Sequence, residues 1–596
     1  MIHKNKNYHV SHALILPFSA TSSFVMLYIA LAFVHALMPT AGRALTTAYF
    51  VDTASAILEG EKTHNYIYQP LIILLLVLGV SVTMGSIMQL VKASVSLNLQ
   101  RKLKPDIVRI HSQLDFKHIE NAKSWELISR VSRDPVKSVM DGFDGLMQIM
   151  HVVVTIMSVL ILIASQVWWA APIIIIFSTP MFWLSMYAGK KNYQAGRYAE
   201  KFNRRTEYLD EVLTGRDGLD ERTLFGYGSR VSKQWQKQFE SGRILQLKVT
   251  AKMFLITKAS SIILALIALS ITLTLINPVV SGDLSAGMFM GIIGAVFGMI
   301  HQLGWQMSNS LQSLSSVSEY MKDLTEFTKL AEAEGALTEP DVEPMDFYSL
   351  EFRNVRFKYP TGNQYILNGL SFRLEKGNHY AFVGKNGSGK TTITKLLTGL
   401  YNEYEGEILI NDKELREYSA NTLKALFSMV YQDFAKYSVS FKDNILLGNI
   451  GGNNTDSQVM NVVDVLGLSE TVQKLKNGID THLGKIAEDG QDLSGGQWQR
   501  VAIARSLNSR ARIKILDEPT AALDPISESL MYMEFEKLMK GKTTIFISHR
   551  LGSTKLADKI LVIDGGVVSE HGSHDELISA NGQYADMFNA QRSWYQ

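Results

Sequence analysis

Charged side chains are missing from five long stretches of this chain. Between Lys6 and Arg43, Lys62 and Lys92, Asp144 and Lys190, Lys258 and Asp283, and Asp283 and Glu319 there is no Asp, Glu, Lys or Arg. Each stretch exceeds the roughly 20 residues that a helix needs to cross a hydrocarbon core. As one straight helix, residues 145–189 would reach about 68 Å, twice the core thickness. That run therefore predicts a hairpin, turning at Gln166-Val167-Trp168-Trp169, where paired tryptophans suit a membrane interface. Six crossing helices result. Buried helices of a soluble domain at this length would carry a charged face.

The loops set the orientation. Arg101, Lys102, Lys104, Arg109, Lys117, Lys123, Arg130, Arg133 and Lys137 follow the second crossing, and Lys190, Lys191, Arg197, Lys201, Arg204 and Arg205 follow the fourth. These basic segments predict cytoplasmic loops, and the opposite loops are short, one with Glu59, Glu61 and Lys62 and another with Asp283 alone. Both termini then face the cytoplasm of a multi-pass protein of the cell membrane. Residues 1–10 are polar, with no small-residue cleavage site before the first crossing, so an uncleaved membrane protein is expected. The two cytoplasmic segments are helix-compatible, with short turns near residues 116–122 and 215–225. Residues 331–340 are acidic and read as a linker. Beyond about residue 350, short β-rich runs alternate with helical ones, which predicts an α/β domain. The expected organisation is a multidomain chain: an all-α six-helix transmembrane domain over residues 1–329, a linker over 330–349 and an α/β P-loop ATPase domain over 350–596.

Composition narrows the functional classes. The chain has 596 residues, 46% hydrophobic and 19% charged, which excludes a single small binding module and a disordered chain. Lys plus Arg (59) almost cancels Asp plus Glu (57), so no polyanion-binding surface is indicated and nucleic acid is not an expected partner. With no cysteine, disulfides, thiolate metal sites and thiol nucleophiles are excluded.

Gly384-Lys-Asn-Gly-Ser-Gly-Lys390-Thr391 matches the P-loop pattern, following an apolar strand and preceding a helix-compatible run. In such a loop Gly384, Asn386, Gly387, Ser388 and Gly389 curl backbone N–H groups around phosphates, with Thr392 beginning the helix behind them. Lys390 sets a cation on the β/γ oxygens and the Thr391 hydroxyl ligates magnesium. Further on, Ile513-Lys-Ile-Leu-Asp517-Glu518 reads as a strand ending in two acids, Asp517 for Mg²⁺ and Glu518 as the base that polarises the attacking water. Lys514 is a charge inside that apolar strand and is expected to snorkel at its entrance.

Between these elements stands Leu493-Ser494-Gly495-Gly496-Gln497, and with it the chain resembles the ATP-binding-cassette family over nearly its whole length. The resemblance implies that Tyr359 stacks on adenine and that Gln432 is the loop glutamine that senses the γ-phosphate at the metal. It implies that Ser494, Gly495, Gly496 and Gln497 form the signature that contacts the opposite subunit's nucleotide. Residues 522–524, ending in Asp524, would cross the dimer seam, and His549 would be the switch histidine. Residues 116–122 and 215–225 take the place of coupling helices. ATP and Mg²⁺ are the implied cofactors. Intact half-site residues favour a homodimer over a heterodimer. The loop 432–437, Gln-Asp-Phe-Ala-Lys-Tyr, looks more like the subgroup that handles ribosomal peptides.

In the sixth crossing His301, Trp305, Asn309 and Gln312 fall at helical spacing with Gln302 beside them, and are expected to line a cargo cavity. His35 and Arg43 in the first crossing and His151 in the third are similar candidates. With no acid inside a charge-free run, an amphipathic or hydrophobic cargo is expected: peptide, lipid-linked molecule or drug. The reading is an ATP-driven exporter; an importer on the same architecture and an ATP-gated channel or regulator are the alternatives.

Overall fold

A computed structural model of the chain describes residues 1–166, 202–215, 218–452, 455–519, 541–548 and 553–592, with isolated positions between 168 and 198. They form two compact units. The first comprises Met1–His111 and Glu126–Leu330, the second Ser112–Trp125 and Ala331–Gln596.

The first unit is helical: α1 (His12–Ala20), α2 (Ser22–Leu37), α3 (Arg43–Leu58), α4 (Tyr68–Ser112). The first charge-free run does not form a single helix. Pro17 lies inside α1, and Thr21 takes an extended ψ of 87° that ends it before Ser22. A π-helical turn, Met38–Gly42, then joins α2 to α3, so the first span runs Ser22–Leu58 and carries Arg43 within it. Among the described residues three helices are long and apolar enough to cross a membrane: Ser22–Leu58, His64–Ser112 and Pro135–Gln166. The fourth expected crossing lies outside the described residues. The fifth and sixth expected crossings hold shorter apolar segments, Ala268–Val280 and Ala286–Met299. In the sixth the apolar pattern stops where the row of polar residues from His301 begins.

Two short helices follow α4, α5 (Phe116–Glu120) and α6 (Ala122–Arg133), and α7 (Pro135–Gln166) comes next. Further along the chain come α8 (Leu219–Phe225), α9 (Gly228–Thr274) and α10 (Ala286–Phe327). Packing between α7 and α10 is close: a Cβ on Gly142 would come within 2.6 Å of Val317, and one on Gly145 within 3.2 Å of the Ser310 carbonyl. An apolar cluster of Val152, Val159, Ile163, Ile292 and Met299 is buried between them.

The second unit contains two sheets. β1 (Ser349–Phe357), β2 (Leu367–Glu375), β4 (Glu405–Ile410) and β5 (Lys413–Glu414) make an antiparallel sheet in the order β2-β1-β4-β5. The other has the order β10-β9-β3-β8-β7-β6, from β3 (His379–Val383), β6 (Phe427–Val430), β7 (Ile513–Asp517), β8 (Thr543–Ile547), β9 (Lys559–Asp564) and β10 (Val567–Gly572). All its pairs are parallel except β9–β10. A parallel sheet is buried on both faces, and β7 and β8 accordingly have every residue buried. Phe352, Phe357, Tyr380, Phe382, Ile513 and Ile515 share one core, each such side chain worth about 1.5–3 kcal/mol on burial. The residues read as a linker are not a free tether. Asp115 N–H donates to Ala331 O at 3.0 Å and Ala333 N–H to Gln113 O at 2.8 Å.

Candidate nucleotide site

The sharp turn after β3 depends on glycine. Gly384 has φ 147°, and a Cβ there would lie 2.1 Å from the Ile563 carbonyl; Gly389 has φ 108°, with Leu367 2.7 Å from a Cβ. No L-residue with a side chain fits either position without moving the backbone. The loop delivers the chain into α11 (Lys390–Leu397), whose first-turn N–H groups face the loop's interior.

Lys390 is 4% exposed, and its Nζ donates to Gly384 O at 2.9 Å and Lys385 O at 3.0 Å. The ammonium thus folds over the loop. Burial pulls its pKa down, while Asp517 and Glu518 oppose that. Strand β7 brings the two acids opposite. Thr391 Oγ1 donates to Asp517 Oδ2 at 3.4 Å, and Gln432 Nε2 donates to Glu518 Oε2 at 3.0 Å. Glu518 sits at φ 47°, in the left-handed region, and its N–H donates to Ile547 O at 2.9 Å. A non-glycine residue pays for that backbone in strain, which turns the carboxylate away from the strand axis and into the cleft. Asp517 is 3% exposed; burial, then the Glu518 charge, pushes its carboxyl up to about 6.

These groups line one cleft of about 640 Å³ with Tyr359, Ile366, Asn386, Gly387, Thr392 and Ile547. The Tyr359 hydroxyl is 3.0 Å from Thr392 Oγ1. Within the loop, Ser388 Oγ is buried with no hydrogen-bond partner. A cleft lined by a cation and glycine backbone, on a loop that holds an orphaned hydroxyl, suits an anion rich in acceptors, as a triphosphate is. Thr391 and Asp517, hard oxygen donors side by side, suit Mg²⁺.

Ser494 and Gly495 are exposed and do not line this cleft. Ser494 caps α16 (Gly495–Asn508), numbered after α12 (Ala420–Leu426), α13 (Phe441–Leu446), α14 (Asp456–Val465) and α15 (Ser469–Lys474). Its Oγ accepts from Gln497 N–H at 3.3 Å, and Gln497 Oε1 accepts from Ser494 N–H at 2.9 Å, a complete capping box. Asp524 and His549 lie outside the described residues.

Helix α5 belongs to the same unit as the cleft and packs close behind Tyr359. Glu120 accepts from Lys395 Nζ at 2.6 Å and from the Tyr401 hydroxyl. Lys395 lies 5.3 Å from the ring centroids of both Phe116 and Tyr359. Nothing in the sequence pattern ties residues 116–120 to Tyr359, because the pairing spans more than 200 residues.

Of the expected cavity residues, Gln302 has a buried Oε1 without a partner and Asn309 is exposed, while the side chains of His301, Trp305 and Gln312 lie outside the description. His35 Nδ1 is 3.3 Å from His151 Nε2, joining α2 to α7. One group was missed. Lys92 and Asp144, the ends of two charge-free runs, form an ion pair at 2.5 Å on a cleft of about 580 Å³ that Asp134, Lys137 and Asp141 also line. An acid thus stands at the edge of a charge-free run, paired with a lysine at the edge of another.

Residues 367–521 match the family model described as ABC transporter. The chain is 30% identical to the subtilin transport ATP-binding protein SpaT of Bacillus subtilis over 492 residues, covering 82% of this chain and 80% of that one. It is 27% identical to the nisin transport ATP-binding protein NisT of Lactococcus lactis subsp. lactis, over 87% of this chain and 86% of that one. It is 30% identical to the ATP-dependent lipid A-core flippase of Bordetella avium (strain 197N), over 74% of this chain and 73% of that one. Its fold matches a bacterial Atm1-family ABC exporter solved with ATP bound, at TM-score 0.78 and 22% identity, over 95% and 98% of the two chains. A helical membrane unit, a nucleotide cleft in the unit that follows and these likenesses together place the chain in the ABC transporter family, as an exporter-type half-transporter that couples ATP hydrolysis to transport.

Proposed function

We propose that two copies of this chain form a homodimer in the cell membrane and export an amphipathic or hydrophobic cargo by alternating access. The observation that carries this reading is the separation of Ser494 from the cleft that holds Lys390, Asp517 and Glu518. A half-site of this kind is completed by the other copy's signature, in a C₂ arrangement.

Each residue has a task in that reading. Tyr359 stacks on the base, and the loop from Gly384 to Gly389 cradles phosphates. Lys390 neutralises the β/γ oxygens, while Thr391, Asp517 and Gln432 would hold Mg²⁺. The ion, when bound, neutralises charge on the phosphates. Glu518 takes a proton from the attacking water, Gln432 holds its carboxylate, and His549 faces the γ-phosphate. Ser494, Gly495, Gly496 and Gln497 grip the other copy's nucleotide, with Asp524 at the seam. Closure of the cassettes is passed through α5 and α8 to the membrane helices.

For cargo, peptide is favoured: relatives of high coverage are named for subtilin and nisin transport. A lipid-linked molecule or a drug is the second possibility, the flippase relative being named for lipid A-core. Inside-out vesicles with amphipathic peptide outside test direction and class together. ATP-dependent accumulation that an E518Q chain lacks supports peptide export. Accumulation of lipid or drug but not peptide overturns the peptide reading, and ATP-dependent loss of cargo from loaded vesicles overturns export.

A further inference from the structure

Lys514 does not snorkel. It is 0% exposed in the middle of β7, among residues that are all buried. Successive strand residues face opposite sides. Ile513 and Ile515 enter the core shared with β3 and β8, while Leu516 enters the cluster beneath α16 with Trp498, Val501 and Ile503. Period two turns Lys514 toward α16 as well. Its Nζ donates to Ser506 O and to Ser509 O, both at 2.6 Å. Ser506 is in the last turn of α16 and Ser509 is its C-cap residue; the Ser506 carbonyl also accepts from Ser509 N–H at 3.3 Å, so the amine adds a donor to that carbonyl and reaches the one that closes the helix.

A second tie lies nearer the start of the same helix: Gln499 Nε2 donates to the Glu518 carbonyl at 3.4 Å. The helix that opens at Ser494 is thereby bolted to the strand that ends in Asp517 and Glu518. An apolar side chain would fill the Lys514 position at lower desolvation cost. Burial drives the amine's pKa well down, and the two carbonyls are the acceptors that replace its water.

We propose that Lys514 is a positioning residue for ATP hydrolysis: by holding the C-terminal carbonyls of α16 it sets the register of the signature helix against the strand bearing Asp517 and Glu518. It rests on the reading that Ser494 acts on the other copy's nucleotide. The effect is on turnover and not on ATP capture, because Lys514 touches neither the P-loop nor the base pocket.

The test uses the full-length chain in nanodiscs, with kcat, KM for ATP and melting temperature measured for K514M, K514R, S494A and K514M/S494A. K514M should lower kcat about tenfold, with KM changed by less than about twofold, and K514R, which keeps the donors, should recover most of the rate. In the S494A background K514M should cost no more than about twofold further, because both act through one helix. A wild-type kcat in K514M, or losses that multiply in the double variant, overturns the proposal. So does a loss of kcat that follows a fall in melting temperature in both backgrounds. Should K514M not fold, K514Q is read by the same criteria. An S494A chain with ordinary kcat overturns the signature reading and this proposal with it; a slow S494A beside a normal K514M overturns Lys514 alone.

Discussion

Glu518 carries the sharpest prediction at the scale of single residues. Its carboxylate is held by Gln432 at 3.0 Å on a left-handed backbone. E518Q keeps the size and removes the base, so hydrolysis should fall by about 10²–10⁴ with ATP still retained; normal turnover would remove Glu518 from that role. Asp517 predicts a pH dependence. With its carboxyl pushed up to about 6 by burial and Glu518, the nucleotide-free protein carries a proton there below that pH. KM for magnesium–ATP should therefore rise by about tenfold for each pH unit below it. The stability sign runs the other way. The raised pKa favours the folded state at low pH, and the advantage is lost as pH climbs from the ordinary carboxylate range through about 6. D517N should shrink the difference in melting temperature between pH 5 and pH 7.

At the scale of elements, the P-loop and α5 make separate predictions. G384A must place a Cβ 2.1 Å from the Ile563 carbonyl, so β3 and β9 have to part. ATP affinity should fall by at least about tenfold, with a cost of roughly 1–3 kcal/mol in stability. Helix α5 bears on coupling. E120Q weakens the bond to Lys395 at 2.6 Å, a partly exposed contact, so the stability change should be under about 1 kcal/mol. Cargo-stimulated ATPase should drop relative to the basal rate. An unchanged ratio would show that α5 only rests on the cassette.

For the whole molecule, the cargo path is the least constrained feature. If the polar row of α10 lines it, W305A should raise the cargo concentration for half-maximal ATPase stimulation by about tenfold while the melting temperature holds. A joint fall in melting temperature and basal rate would mean that Trp305 packs between helices. The ion pair of Lys92 and Asp144, at the inner ends of two apolar runs, gives a parallel reading: D144N should weaken stimulation by a cationic peptide more than by a neutral one.

Patterns local in sequence were legible without coordinates. Charge-free runs longer than a bilayer, the spacing of Gly384 to Thr391 and the acids closing an apolar strand each follow from periodicity or from short-range chemistry. The first charge-free run did not give one unbroken helix, because Thr21 ends α1 before Ser22, whereas the π-helical turn after Leu37 carries α2 on into α3. Contacts between distant residues needed the fold. The docking of Glu120 on Lys395 and Tyr401 and the ion pair of Lys92 with Asp144 each join segments far apart along the chain. Lys514 shows why most plainly. Sequence places a charge in an apolar strand, and solvation alone would send it toward water; only the packed helix supplies two carbonyls at 2.6 Å that replace water inside. Side-chain type and spacing determine which elements form, whereas the partners of a buried polar group are set by whichever backbone the fold brings against it.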